Sequence, residues 1–133
     1  MKHTLLFFGS ILLAGMLLIG NLMAGNKGGH MQVIKLRTDI GAGQNKQIEV
    51  LFEGPKRKLV QITLRHEAIL ESHSAPEPIT IQCLSGKGTL IVGDKKETVQ
   101  LEPGVLVTIE PNIVHEIKSQ PVVAVLLTRF TEK

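Results

Sequence analysis

From Ile48 to Phe130 the chain is a series of short β-branched runs, cut every several residues by Gly, Pro, Asn or Asp, and this most restricts its fold. A helix needs an apolar period of 3.6 residues held over several turns, and no long stretch here offers one. The expected strands are Met31–Arg37, Ile48–Glu53, Lys58–Leu64, Pro78–Leu84, Thr89–Val92, Glu97–Leu101, Val105–Ile109, Val114–Lys118 and Val122–Phe130. Gly54-Pro55-Lys56-Arg57, Gly93-Asp94-Lys95 and Pro103-Gly104 supply turns between them, and Gly86-Lys87-Gly88 reads as the turn after a buried strand. Thr38–Gln47 reads as a Gly- and Asn-rich loop, and Glu67–Glu71 is the single helix candidate. About nine short strands in one domain imply an all-β sandwich or small barrel. With four Phe and no Trp or Tyr, Val, Ile and Leu must fill its core.

Charge excludes some functions. From Met31 onward the sequence carries 13 basic and 12 acidic residues, so the whole-chain net charge of +3 arises partly from Lys2 and Lys27. Nucleic-acid binding wants a clustered basic face, which the near-balanced domain lacks. Lys56-Arg57-Lys58 is its densest cluster and has no neighbouring aromatics for base stacking. A single cysteine, Cys83, excludes an internal disulfide and any multi-cysteine metal centre.

Residues 3–25 hold no Asp, Glu, Lys or Arg. Lys2, then the apolar run Leu5–Ile19, then small and polar residues up to Ala24 follow the order of a secretory signal peptide. The run is also close to the roughly 20 residues that span a bilayer, so residues 4–24 serve equally as an uncleaved membrane anchor. Either reading places the domain outside the cytoplasm: secreted, periplasmic or membrane-anchored. A rival exists in Lys27-Gly28-Gly29-His30-Met31, whose codons accommodate a ribosome-binding site followed by a start at Met31. Translation from there would leave the domain cytoplasmic. The expected organisation is residues 1–24 as signal peptide or anchor, 25–47 as leader junction, first strand and loop, and 48–130 as the barrel.

Two segments narrow the fold further. One runs Leu70-Glu71-Ser72-His73-Ser74-Ala75-Pro76-Glu77-Pro78-Ile79-Thr80-Ile81-Gln82-Cys83-Leu84-Ser85-Gly86, the other Leu101-Glu102-Pro103-Gly104-Val105-Leu106-Val107-Thr108-Ile109-Glu110-Pro111-Asn112-Ile113-Val114-His115. Together they resemble the two motifs of the cupin superfamily, and the resemblance covers nearly all of residues 48–130. It implies a single-domain cupin-type β-barrel, an RmlC-like jelly roll, behind the hydrophobic leader. Metal-binding cupins carry His-x-His and a Glu in the first motif and a His in the second. Here His73 and His115 fill the outer positions, Ala75 stands where the second His would be, and Ile79 or Thr80 where the Glu would be. The Gly that usually precedes the first motif is replaced by Glu67, and the motif Gly after Pro111 is missing. The resemblance also implies a homodimer, formed by pairing edge strands or swapping the N-terminal strand Met31–Arg37.

His73 and His115 are therefore the metal-site candidates, for Fe, Mn or Zn. Two imidazoles alone hold a divalent ion weakly, because such ions take three or more protein ligands. Glu77 is near in sequence but lies in a Pro-flanked loop that reads as solvent-facing. Cys83 alternates with Ile79 and Ile81, so it points into the barrel if they do, and with His73 and His115 it completes the ligand-binding candidates. Gln82 falls on the opposite face. His66 reads as an exposed turn residue, and His3 and His30 lie in the leader. The expected function is the binding of a small organic ligand in the barrel, with or without a weakly held divalent metal at His73 and His115. The alternative is a metal-dependent cupin enzyme of dioxygenase or isomerase type with a non-standard third ligand.

Overall fold

The computed structural model describes residues 29–132, so the signal-peptide, anchor and start-site expectations lie outside the described residues. Among those described, no helix is long and apolar enough to cross a membrane. The chain divides after Lys35 into two compact units, and the second, Leu36–Lys133, carries every strand found among the described residues.

Seven antiparallel strands form: β1 (Lys46–Gly54), β2 (Arg57–Leu64), β3 (Ile69–His73), β4 (Ile79–Val92), β5 (Glu97–Leu101), β6 (Leu106–Ile109) and β7 (His115–Arg129). Two expected pairs of short strands are fused. Gly86-Lys87-Gly88 is not a turn but a bulged bend inside β4, and β7 runs unbroken through the Gln120–Pro121 peptide. Each long strand therefore serves two sheets. Its outer half joins β1, β2 and β6 in one wall, while the halves that meet at Gly88↔Ser119 and Val92↔His115 join β3 and β5 in the other. The glycines are required by this bend. Gly86 has φ of +76°, and a Cβ there would stand 2.1 Å from the Val122 carbonyl oxygen. A Cβ on Gly88 would meet the Lys118 carbonyl at 2.6 Å. Only residues without a side chain let the two backbones approach so closely.

Two further expectations are corrected. Met31–Arg37 forms no strand. At Arg37 both backbone groups are engaged by a side chain: the Gln61 amide donates to its carbonyl at 2.7 Å and accepts from its N–H at 3.1 Å. Glu67–Glu71 is not helical. His66 and Glu67 take φ of +55° and +59°, a turn, and β3 follows at once. Five residues are too few to nucleate a helix against sheet pairing with β7.

Between the walls lies an aliphatic core that includes Leu64, Ile81, Leu90 and Ile117, each wholly buried, with Ile79, Cys83, Leu101 and Val125 beside them. Burying each such Leu or Ile contributes about 1.5–3 kcal/mol. Directly after β2, Arg65 is buried with no carboxylate against it among the described residues. Its guanidinium donates to the carbonyls of Ile40, Gly41 and Gln44 and to the Gln47 side-chain oxygen, at 2.6 to 3.0 Å. This satisfies the charge group by group and pins the preceding loop to the barrel.

Candidate functional site

Chain continuity places four strand ends together. β3 stops at His73 and β4 starts at Ile79; β6 stops at Ile109 and β7 starts at His115. The two short links are joined to each other, the Asn112 N–H donating to the Ala75 carbonyl at 2.7 Å. This end is the mouth of the barrel, and Arg129, paired with Ile79, lies at it on the opposite wall.

His73 is turned toward His115, at the rim, by a bulge. Leu70 pairs with Ile117 and His73 with His115, so three residues of β3 advance against two of β7. In a regular strand His73 and Leu70 would face opposite sides; the extra residue restores His73 to the face of the core-packing Leu70. His115 alternates with Ile117 and Ser119, both buried, and needs no such device. Val92 completes the rung on the other side of His115.

The two rings lie with centroids 4.4 Å apart and planes at 59°. His73 is exposed at the rim, whereas His115 is 2% exposed. Each ring is oriented by its own chain two residues back. Nδ1 of His73 lies 2.7 Å from the Glu71 carbonyl oxygen, and Nδ1 of His115 lies 3.0 Å from that of Ile113. Burial pushes the His115 imidazole below the usual histidine range, the carbonyl of Ile113 opposes that in part, and the neighbouring His73 adds to it. His115 Nε2 is fully enclosed and finds no hydrogen-bond partner among the described residues.

The other sequence candidates go elsewhere. Glu77 does not face solvent; its side chain is 14% exposed and paired with the Arg129 guanidinium, a residue that nothing in the sequence pattern singled out. A lone acid between two prolines just before a buried strand was the available signal. Cys83 does face inward, 1% exposed, but it pairs with Val125 while His115 pairs with Val92 at the far end of β4. Its thiol turns to the Ser85 and Gly86 carbonyls, and burial pushes its pKa up. It is not brought to the histidines. Gln82 is on the outer face and His66 is exposed, held to the Asn45 side chain at 2.8 Å. Glu67, which stands for the Gly before the first motif, takes φ of +59°, and Asn112, next to Pro111 in the second, takes φ of +64°, so the backbone makes left-handed turns there without glycine.

The divalent metal that the motif resemblance implies is judged on donors. Ala75 offers none, Ile79 is 2% exposed within the core, and Glu77 is engaged by Arg129. Among the described residues no three His, Cys, Asp or Glu side chains cluster. Two imidazoles do not make the closed or three-ligand set that retains such an ion, so these residues do not fit a firmly held metal. Back to back with the pair, on the outer face of β7, a shallow groove of about 430 Å³ is lined by Ile91, Val114, Glu116 and Lys118. It shares no side chain with the mouth.

This architecture is the cupin fold, the double-stranded β-helix. No protein-family model and no curated protein matches the chain. Its likeness is to solved structures. An RmlC-like cupin protein from Desulfovibrio desulfuricans is 22% identical, with a TM-score of 0.63 over 76% of this chain and 97% of that one. An RmlC-like cupin family protein from Methanocaldococcus jannaschii is 16% identical, with a TM-score of 0.64 over 77% and 93%. The DMSP lyase DddQ from Ruegeria pomeroyi is 13% identical, with a TM-score of 0.61 over 66% of this chain and 48% of its own. At these identities the likeness is one of fold, and function must be argued from the site.

Proposed function

We propose that this cupin-domain protein is a binding module that holds a small organic molecule at the mouth of its barrel, on His73 and His115. The observation that carries this is the enclosed, unpartnered His115 Nε2. An imidazole nitrogen left so costs about 1–3 kcal/mol of stability, and natural sites retain that cost where a ligand satisfies it. Ala75 and Val92, half-buried against the core, give the mouth an apolar side beside the paired Glu77 and Arg129, which suits an organic body. A divalent ion at the pair would be held weakly and would exchange freely.

The test is metal content of the purified protein, prepared without affinity tag or chelator, beside a His73→Ala variant. The expected result is a folded protein with little metal in both. Near-stoichiometric Fe, Mn or Zn, lost in the variant, would overturn the reading in favour of a metal-dependent enzyme using a third ligand.

A further inference from the structure

The carbonyl oxygens of Glu71 and Ile113 can only accept hydrogen bonds, so each must be receiving the Nδ1 proton of its histidine. A neutral imidazole carries one N–H. With Nδ1 of His115 carrying that proton, its Nε2 is left as a lone pair. His115 is 2% exposed and has no carboxylate against it among the described residues, so a second ring proton would be a buried charge without a partner. The arginine on the opposite wall is already neutralised by Glu77, and Lys58, which pairs with Arg129 in the sheet, is within 3.7 Å of Glu53. The mouth thus presents acceptors and compensated cations. A carboxylate or phosphate brought to Nε2 would set lone pair against lone pair with no free charge to hold it.

We infer that the site selects by proton donation: its ligand is an uncharged, apolar-bodied molecule bearing a hydroxyl that donates to His115 Nε2, and organic anions are rejected. The inference rests on the reading of the mouth as the binding site and adds the class of ligand. His73, exposed at the rim with its ring 4.4 Å from that of His115 and tilted by 59°, is the second ring the ligand meets.

The experiment uses the full-length, ¹⁵N-labelled protein at pH 7.5 and three probes of one shape: p-cresol, toluene and p-toluate. Histidine ring nitrogens are followed by long-range ¹H–¹⁵N correlation. Without probe, Nε2 of His115 should resonate as an unprotonated nitrogen. Titration with p-cresol should move the His115 Nε2 signal saturably, while toluene and p-toluate bind at least tenfold more weakly. An Nε2 signal that is protonated at the outset overturns the ligand class and leaves the site standing. So does p-toluate that shifts His115 as tightly as p-cresol. If no probe moves either ring, the class and the site reading fall together.

Discussion

At the scale of single residues, two positions separate effects that are often confounded. Gly86 and Gly93 have nearly the same backbone, φ of +76° and +78°, but a Cβ at Gly93 meets nothing within 4 Å. Gly93→Ala should therefore cost only the left-handed penalty, about 1–2 kcal/mol. Gly86→Ala adds a collision with a backbone carbonyl that cannot rotate away, and should cost about 3 kcal/mol or more, read from urea midpoints. His115 links stability to pH. Its folded pKa lies below its unfolded one, so its contribution is complete above about pH 6.5. It is lost as pH falls through the folded value, because the unfolded chain accepts a proton that the native ring resists. The urea midpoint of the wild type should drop between pH 7.5 and pH 5, and in His115→Phe it should drop less. An equal drop in both would show that the buried imidazole carries no such linkage.

At the scale of elements, the bulge in β3 decides whether the mouth holds one imidazole or two. Deleting Ser72, exposed on that strand, should remove the bulge and leave His73 two residues from Leu70, so that it keeps Leu70's face and its place opposite His115 in a regular ladder. The expected result is a folded protein that keeps the ring-to-ring nuclear Overhauser effects between His73 and His115; their loss would show that alternation along β3 does not set the direction of the ring. The loop before β1 depends on Arg65 in the same local way. Arg65→Met should destabilise by about 2–3 kcal/mol and raise amide exchange in residues 40–47 ahead of the core. Arg65→Lys should not rescue it, since an ammonium cannot span four acceptors set out for a planar fork. These elements also mark the limit of what the sequence discloses. The inward set Ile79, Ile81, Cys83 is legible because it alternates in an unbroken stretch of β4. The inward turn of His73 is not, because a bulge reverses alternation without any residue type announcing it. Gly86-Lys87-Gly88 has turn chemistry, yet the close approach of β7 makes it a bend within a strand. The Glu77–Arg129 pair joins residues far apart in the chain, a contact that only the fold creates.

At the scale of the molecule, the fold was legible from motif order and spacing, since a His, a strand ending in Gly, a hairpin, a Pro-Gly turn and a final Pro and His describe the barrel's path. Strand number was overestimated because β4 and β7 are each one strand bent across both walls. What lies before the barrel is a separate matter, settled by the mass of the native N-terminus. We predict a chain beginning at Gly25 if the leader is a cleaved signal and at Met1 if it is an anchor; one beginning at Met31 would make the cytoplasmic reading correct. The sharing of β4 and β7 has a practical consequence for finding the ligand. Neither wall can melt while the other survives, because each is made from the other's strands, and His115 is the first residue of one of them. Any molecule that seats itself on that ring is coupled to the melting of the entire barrel, so occupancy at the rim will appear as a rise in the single unfolding temperature of the whole domain.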